Sequence, residues 1–172
     1  MKKLSLILIL LSIFLFTGCV SYQPTIPKNY EGKKAYIMDS ASIHSSSKAD
    51  MFYLEKINDA KIYNSRYSTL DKNYGRGFNM IVDKFNHDIA AKKTKFTIVG
   101  RTEYAAPILA LTNPVYEVRG EIEFIPKENI QYIVKGVLGE KKSSVWIEDY
   151  ETKEIINKKI EVIDSSLGFF EK

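Results

Sequence analysis

The sequence predicts an all-β fold, a single antiparallel β-sandwich or small barrel, on three observations. Runs rich in Tyr, Ile, Val and Phe recur at spacings of about 8–14 residues. Within the cleanest runs apolar and polar residues alternate, the period of a strand with one face in a core. The connections between runs are short and polar, with turn-forming residues. We take the elements in chain order.

Lys2 and Lys3 precede an apolar stretch, residues 4–16, interrupted only by Ser5 and Ser12. This is the layout of a secretory signal peptide. It falls short of the about 20 apolar residues that a membrane-spanning helix needs. The stretch runs into Phe16-Thr17-Gly18-Cys19, inside "LFTGCVSYQPT". This resembles the lipobox of bacterial lipoproteins, with Phe16 where that family most often has Leu. The resemblance implies cleavage between Gly18 and Cys19 and acylation of Cys19, the only cysteine in the chain. Each buried CH₂ contributes about 0.8 kcal/mol, so two or three acyl chains hold a protein on a bilayer where one does not. The competing reading is a simple secretory signal followed by an incidental cysteine. Val20 follows Cys19 where an aspartate would act as an inner-membrane retention signal, so the expected location is the outer membrane facing the periplasm.

The domain plan is then a signal peptide at 1–18, a lipidated Cys19 with a flexible tether to residue 34, and a β domain at 35–172. Pro24, Pro27 and Gly32 among polar residues mark the tether. Removing 18 of 172 residues leaves 154 without a second thiol, so the exported domain must be held by its core alone. Loss of Lys2 and Lys3 lowers the formal charge from +4 to +2, a balance that argues against a nucleic-acid partner.

"KAYIMDS" and "DMFYLEKIN" read as strands, and Asn58-Asp59 as a turn leading back into "AKIYNS". In residues 78–91, Phe78, Ile81, Val82, Phe85 and Ile89 recur at helical spacing, but Gly75 and Gly77 precede them and no cap opens the stretch. Extended structure is the expectation there. "KFTIVGRTEY" is a strand that runs into the apolar "AAPILAL". In "VYEVRGEIEFIP", Tyr116, Val118, Gly120, Ile122 and Phe124 share one face, and Glu117, Arg119, Glu121 and Glu123 the solvent face. A hairpin through residues 126–129 is expected to lead into "IQYIVKGVL". "SSVWIEDY" and "KEIINKKIEV" follow across Glu151-Thr152-Lys153, so that four strands form a meander. The tail "SSLGFFEK" is expected to dock its apolar residues on an end of the sandwich.

A Ser-His-Asp hydrolase needs a nucleophile beside a base that a third group orients. The sequence has no G-x-S-x-G and only two histidines. His44 lies in a serine-rich stretch read as a loop, and His87 follows Asp83 by four residues, read as a surface pair. Two such ligands do not make a zinc site. Neither a metal nor a cofactor is expected. "YGRGF", at 74–78, lacks the third glycine and the lysine of a phosphate loop and reads as a tight turn. Glu121 and Glu123 read as cross-strand ion pairs. Trp146 with Glu148, Asp149 and Tyr150 is the candidate binding surface, since aromatics beside carboxylates bind sugars or peptides; packing in the sheet is the alternative for Trp146.

"TEYAAPILAL", "VRGEIEFIPKENIQYIVKGVL" and "SSVWIEDYETKEII" resemble a group of uncharacterised bacterial envelope lipoproteins, with a layout similar to PEGA-like and transthyretin-like β-sandwich modules. The likeness spans residues 51–160. It implies no catalytic residues. The expected function is a non-catalytic binding or scaffolding module held on the membrane by Cys19, with an envelope protein or peptide as partner. The alternative is an accessory lipoprotein of a secretion or envelope-assembly machine, and an envelope hydrolase ranks third.

Overall fold

A computed structural model describes residues 21–172; Gly18 and Cys19 lie outside the described residues. The strands are β1 (Lys34–Met38), β2 (Ser40–Ser45), β3 (Lys48–Ile57), β4 (Ala60–Lys61), β5 (Asn86–Ala90), β6 (Thr94–Tyr104), β7 (Glu117–Phe124), β8 (Gln131–Val137), β9 (Lys142–Asp149) and β10 (Ile155–Ile163). Two helices interrupt them, α1 (Ser65–Asn73) and α2 (Pro107–Thr112). One sheet has the order β10-β9-β8-β1-β5, and the other has β2-β3-β6-β7 with β4 added to β3. The two sheets face each other as a sandwich and do not close into a barrel. All pairings are antiparallel except β1 with β8.

The core lies between the sheets. Phe52, Leu54, Phe96, Ile98, Val118 and Ile122 meet Ile37, Ile89, Tyr132, Val134, Val145 and Ile147. Alternation selects these residues: in β7, Val118 and Ile122 are buried while Glu121 and Glu123 are exposed. The predicted turn at Asn58-Asp59 is a two-residue hairpin with both φ positive, 47° and 68°, which Asn and Asp tolerate best after Gly.

Three local expectations are corrected here. Residues 126–129 do not close a hairpin, because β7 pairs with β6 and β8 with β1 and β9, in opposite sheets. The chain crosses the sandwich there, which brings the rings of Phe124 and Tyr132 face to edge at 5.3 Å across the core. The meander is therefore β8-β9-β10 only. "AKIYNS" pairs for two residues and then ends, because Ile62 turns into the core and Asn64 caps α1 by accepting from the Tyr67 amide. The apolar "AAPILAL" that follows β6, left without an assigned element by the sequence, contains α2, opened by Pro107 in its first turn.

Residues 78–85 are irregular and lead into β5, with no helix, as expected. Their apolar side chains diverge instead of sharing a stripe: Phe78 and Ile81 are exposed, Val82 packs on Met51, Tyr53 and Val99, and Ile89 enters the core. The segment expected as a free tether is docked for part of its length. The Gln23 amide donates to the Lys61 carbonyl at 2.8 Å, and the Tyr22 ring packs on Tyr63 and Tyr67. In the tail, the Glu117 amide donates to Ser165 and the Leu167 amide to Val115, which seats the tail against the start of β7. Phe169 and Phe170 then remain exposed, contrary to the expected docking.

Candidate functional site

The last turn of α1, the Tyr74–Gly77 turn, Met80, the end of β6 and α2 enclose a cleft of about 570 Å³. That volume lies in the range of small-ligand sites, about 300–1,000 Å³. Its walls are mostly apolar, with Leu70, Met80, Leu111 and Val115 as the larger contributors. The sequence builds each wall locally. Gly75 and Gly77 hold φ of 77° and 66°, which turns the chain sharply after α1 and leaves Tyr74 at the rim, 93% exposed. Asn73 fixes the far side of this turn: its side chain donates to Ile81 O at 2.7 Å and accepts from the Ile81 amide at 2.8 Å. α2 buries none of its residues, so Ile108 and Leu111 stay exposed.

Arg66, Arg101 and Glu103 line the cleft as well and belong to a longer chain of charges. Glu103 accepts from Arg66 and lies 3.2 Å from Arg101 Nε. Arg101 reaches Glu117, Arg119 bonds Glu117 at 3.0 Å, and Arg119 ends on Glu55. Three arginines and three glutamates thus form one neutral ladder over the outer face of β3, β6 and β7. Burial disfavours the Arg66 charge, but Glu103 more than offsets this and holds its pKa above the ordinary value. Burial pushes the Glu117 carboxyl up, while hydrogen bonds from Arg101 and Arg119 outweigh that and hold it below the usual range. The Tyr53 phenol, beneath the ladder, is pushed up by burial. The arginines here are paired with glutamates, and Lys172, the remaining cation of the lining, donates to the Asn113 carbonyl at 2.8 Å, so the open surface of the cleft is mostly apolar.

Neither histidine sits where the sequence suggests. His44 lies on β2, not in a loop, with Nε2 2.8 Å from Asp50 Oδ2, while Thr102 donates to Asp50 Oδ1 at 2.7 Å. The three residue types are those of a catalytic triad, but the hydroxyl bonds the carboxylate and not the imidazole, which gives no general-base geometry. His87 is no surface residue. It is 3% exposed, and its Nε2 lies 3.2 Å from Asp39 Oδ2, whereas Asp83 bonds Ser68 and Lys72. Asp39 stands where the chain passes from one sheet to the other and also accepts the Leu54 and Ser65 amides, each at 2.9 Å. Among the described residues neither histidine ring bonds a hydroxyl.

The Trp146 group is largely committed to local structure. The indole donates to Glu148 at 2.8 Å and lies under Lys159, 4.0 Å from the ring centroid. Asp149 accepts the Glu151 and Thr152 amides, both at 2.9 Å, which caps the β9–β10 turn and holds its carboxyl below the usual range. Tyr150 is exposed beside Lys153. Glu121 and Glu123 pair with Lys95 and Lys93 on the surface.

Among the described residues no three His, Cys, Asp or Glu side chains converge to hold a metal ion, and no helix is long and apolar enough to cross a membrane. No protein-family profile matches the chain, and neither a curated protein nor a solved structure matches it significantly.

Proposed function

We propose that the chain is a lipid-anchored, non-catalytic binding module of the bacterial cell envelope, attached through Cys19 and held at the outer membrane facing the periplasm. The observation that carries the binding part of this reading is the cleft between α1 and α2, with its mostly apolar walls and its arginines paired to glutamates. Such a site favours an apolar segment of an envelope protein or peptide over a charged metabolite. The exposed rings of Phe169 and Phe170, 5.3 Å apart, support a protein partner. Among the described residues neither histidine ring bonds a serine or threonine hydroxyl, so no paired nucleophile supports a hydrolase reading.

Crosslinking recovery of partners from membranes tests the reading. Ala110→Trp, which fills the cleft, is expected to abolish recovery without lowering the melting temperature, while His44→Ala leaves recovery unchanged. Loss of recovery in His44→Ala at an unchanged melting temperature would reveal a discrete chemical site and overturn the scaffold reading.

A further inference from the structure

The first described residues, which follow the proposed attachment point Cys19 closely in sequence, are held against the folded domain. Tyr22 packs edge-on against Tyr63, with centroids 5.4 Å apart, and against Tyr67 at 4.9 Å, and the row continues from Tyr63 to Phe85 at 5.5 Å. With Gln23 bonded to Lys61, these contacts fix residues 22–23 on the first turn of α1 and on β4. Two residues, Val20 and Ser21, separate Tyr22 from Cys19, which makes three steps along the chain. At no more than about 3.6 Å per residue they span at most roughly 11 Å, no more than the diameter of one helix with its side chains.

We propose that the surface of Tyr22, Tyr63 and Tyr67, flanked by Lys28 and Lys61, docks on the lipid headgroups, so that the domain keeps one orientation on its membrane. The proposal rests on the acylation of Cys19 proposed above. The chemistry of the surface fits the occupant that the short connection imposes. Tyrosine rings favour the headgroup level, where the ring is half apolar and the hydroxyl wet. Lys28 and Lys61 are exposed to meet anionic headgroups. The acidic neighbours are Asp71, which accepts from the Tyr63 hydroxyl at 2.7 Å, and the exposed Asp88. α1 starts at this surface and ends at the cleft, so its nine residues, about 14 Å of helix, hold the cleft close to the lipid.

The test uses the full-length lipidated chain carrying Trp146→Phe, in vesicles of phosphatidylethanolamine and phosphatidylglycerol that contain a nitroxide-headgroup lipid. One variant adds Tyr67→Trp. The other adds Glu140→Trp, in the exposed β8–β9 connection, two strands across the sheet from β5, beside which the tyrosines lie. Co-flotation with the vesicles and quenching several-fold stronger at position 67 than at 140 is the expected result. Co-flotation with equal quenching at both positions overturns the docking and leaves the anchor standing. Failure of the chain to float with vesicles overturns the anchor, and the docking with it.

Discussion

The two faces of the sheet β2-β3-β6-β7 are buried by different means. Its inner face sets Phe52, Leu54, Phe96 and Ile98 against the opposite sheet, an apolar surface with no charge to satisfy. Its outer face holds a small cluster of Met51, Tyr53 and Val99, and around it the ladder from Arg66 to Glu55. α1, residues near Val82 and the C-terminal tail lie on that face, the tail against Arg101 and Glu117, which are only 14% and 16% exposed. Alternation in a strand therefore tells which residues share a face. It does not tell whether the polar face is wet, because an irregular segment elsewhere in the chain decides that.

The contrast breaks most completely at the residue that joins both sheets. Asp39→Ala leaves the buried Leu54 and Ser65 amides and His87 without their acceptor. Each buried orphan costs about 1–3 kcal/mol, so a loss of about 3–5 kcal/mol is expected from denaturant unfolding. His87→Ala removes the ring that pairs with the buried Asp39 carboxylate and is expected to destabilise as well. On the outer face, Arg101→Met sets Glu103 and Glu117 side by side without their shared cation and is expected to cost about 2–3 kcal/mol. On the inner face the effect is steric. A Cβ at Gly136 collides with the Phe52 ring and sits 2.6 Å from the Ser144 carbonyl oxygen, so Gly136→Val is expected to cost about 1–3 kcal/mol by thermal melt. Gly120→Val is expected to cost less, since its nearest contacts are all in the Ile160 side chain, 2.6 Å at Cδ1 and 2.8 Å at Cγ2, with no backbone atom among them.

The smallest effect separates the faces by pH. The Glu117 carboxyl is depressed in the folded chain, so its contribution is complete above its unfolded pKa, near the ordinary 4.5, and is lost as pH falls through the lower folded value. The melting temperature should hold between pH 7 and 5 and then fall. Glu117→Gln should flatten part of that acid limb, and Gly136→Val should shift the whole curve without changing its shape. An unchanged limb in Glu117→Gln would remove the ladder from the account of the outer face.

Much of the inner face was legible. The alternation of β7, the Asn58-Asp59 turn and the punctuation by Gly75 and Gly77 each follow from one local rule, and the structure contains each. α1 was not legible, because its buried residues are Ser65, Ser68, Thr69 and Asn73, so it shows no apolar period; Asn64 before Ser65 was the available signal. α2 hid for the opposite reason, being six residues of nearly uniform apolarity. Without the two helices the cleft has no walls, so nothing in the sequence places Leu70, Tyr74 and Leu111 around one site. Asp39 read as one more residue in a strand, since only its long-range partners set it apart.

The mass of the chain extracted from membranes tests the proposed anchor most directly. The account predicts a polypeptide that begins at Cys19 and carries two or three acyl chains, and that Cys19→Ala abolishes the adduct and the membrane association together. A chain with an unmodified thiol at Cys19, or one that stays with membranes after Cys19→Ala, would contradict it.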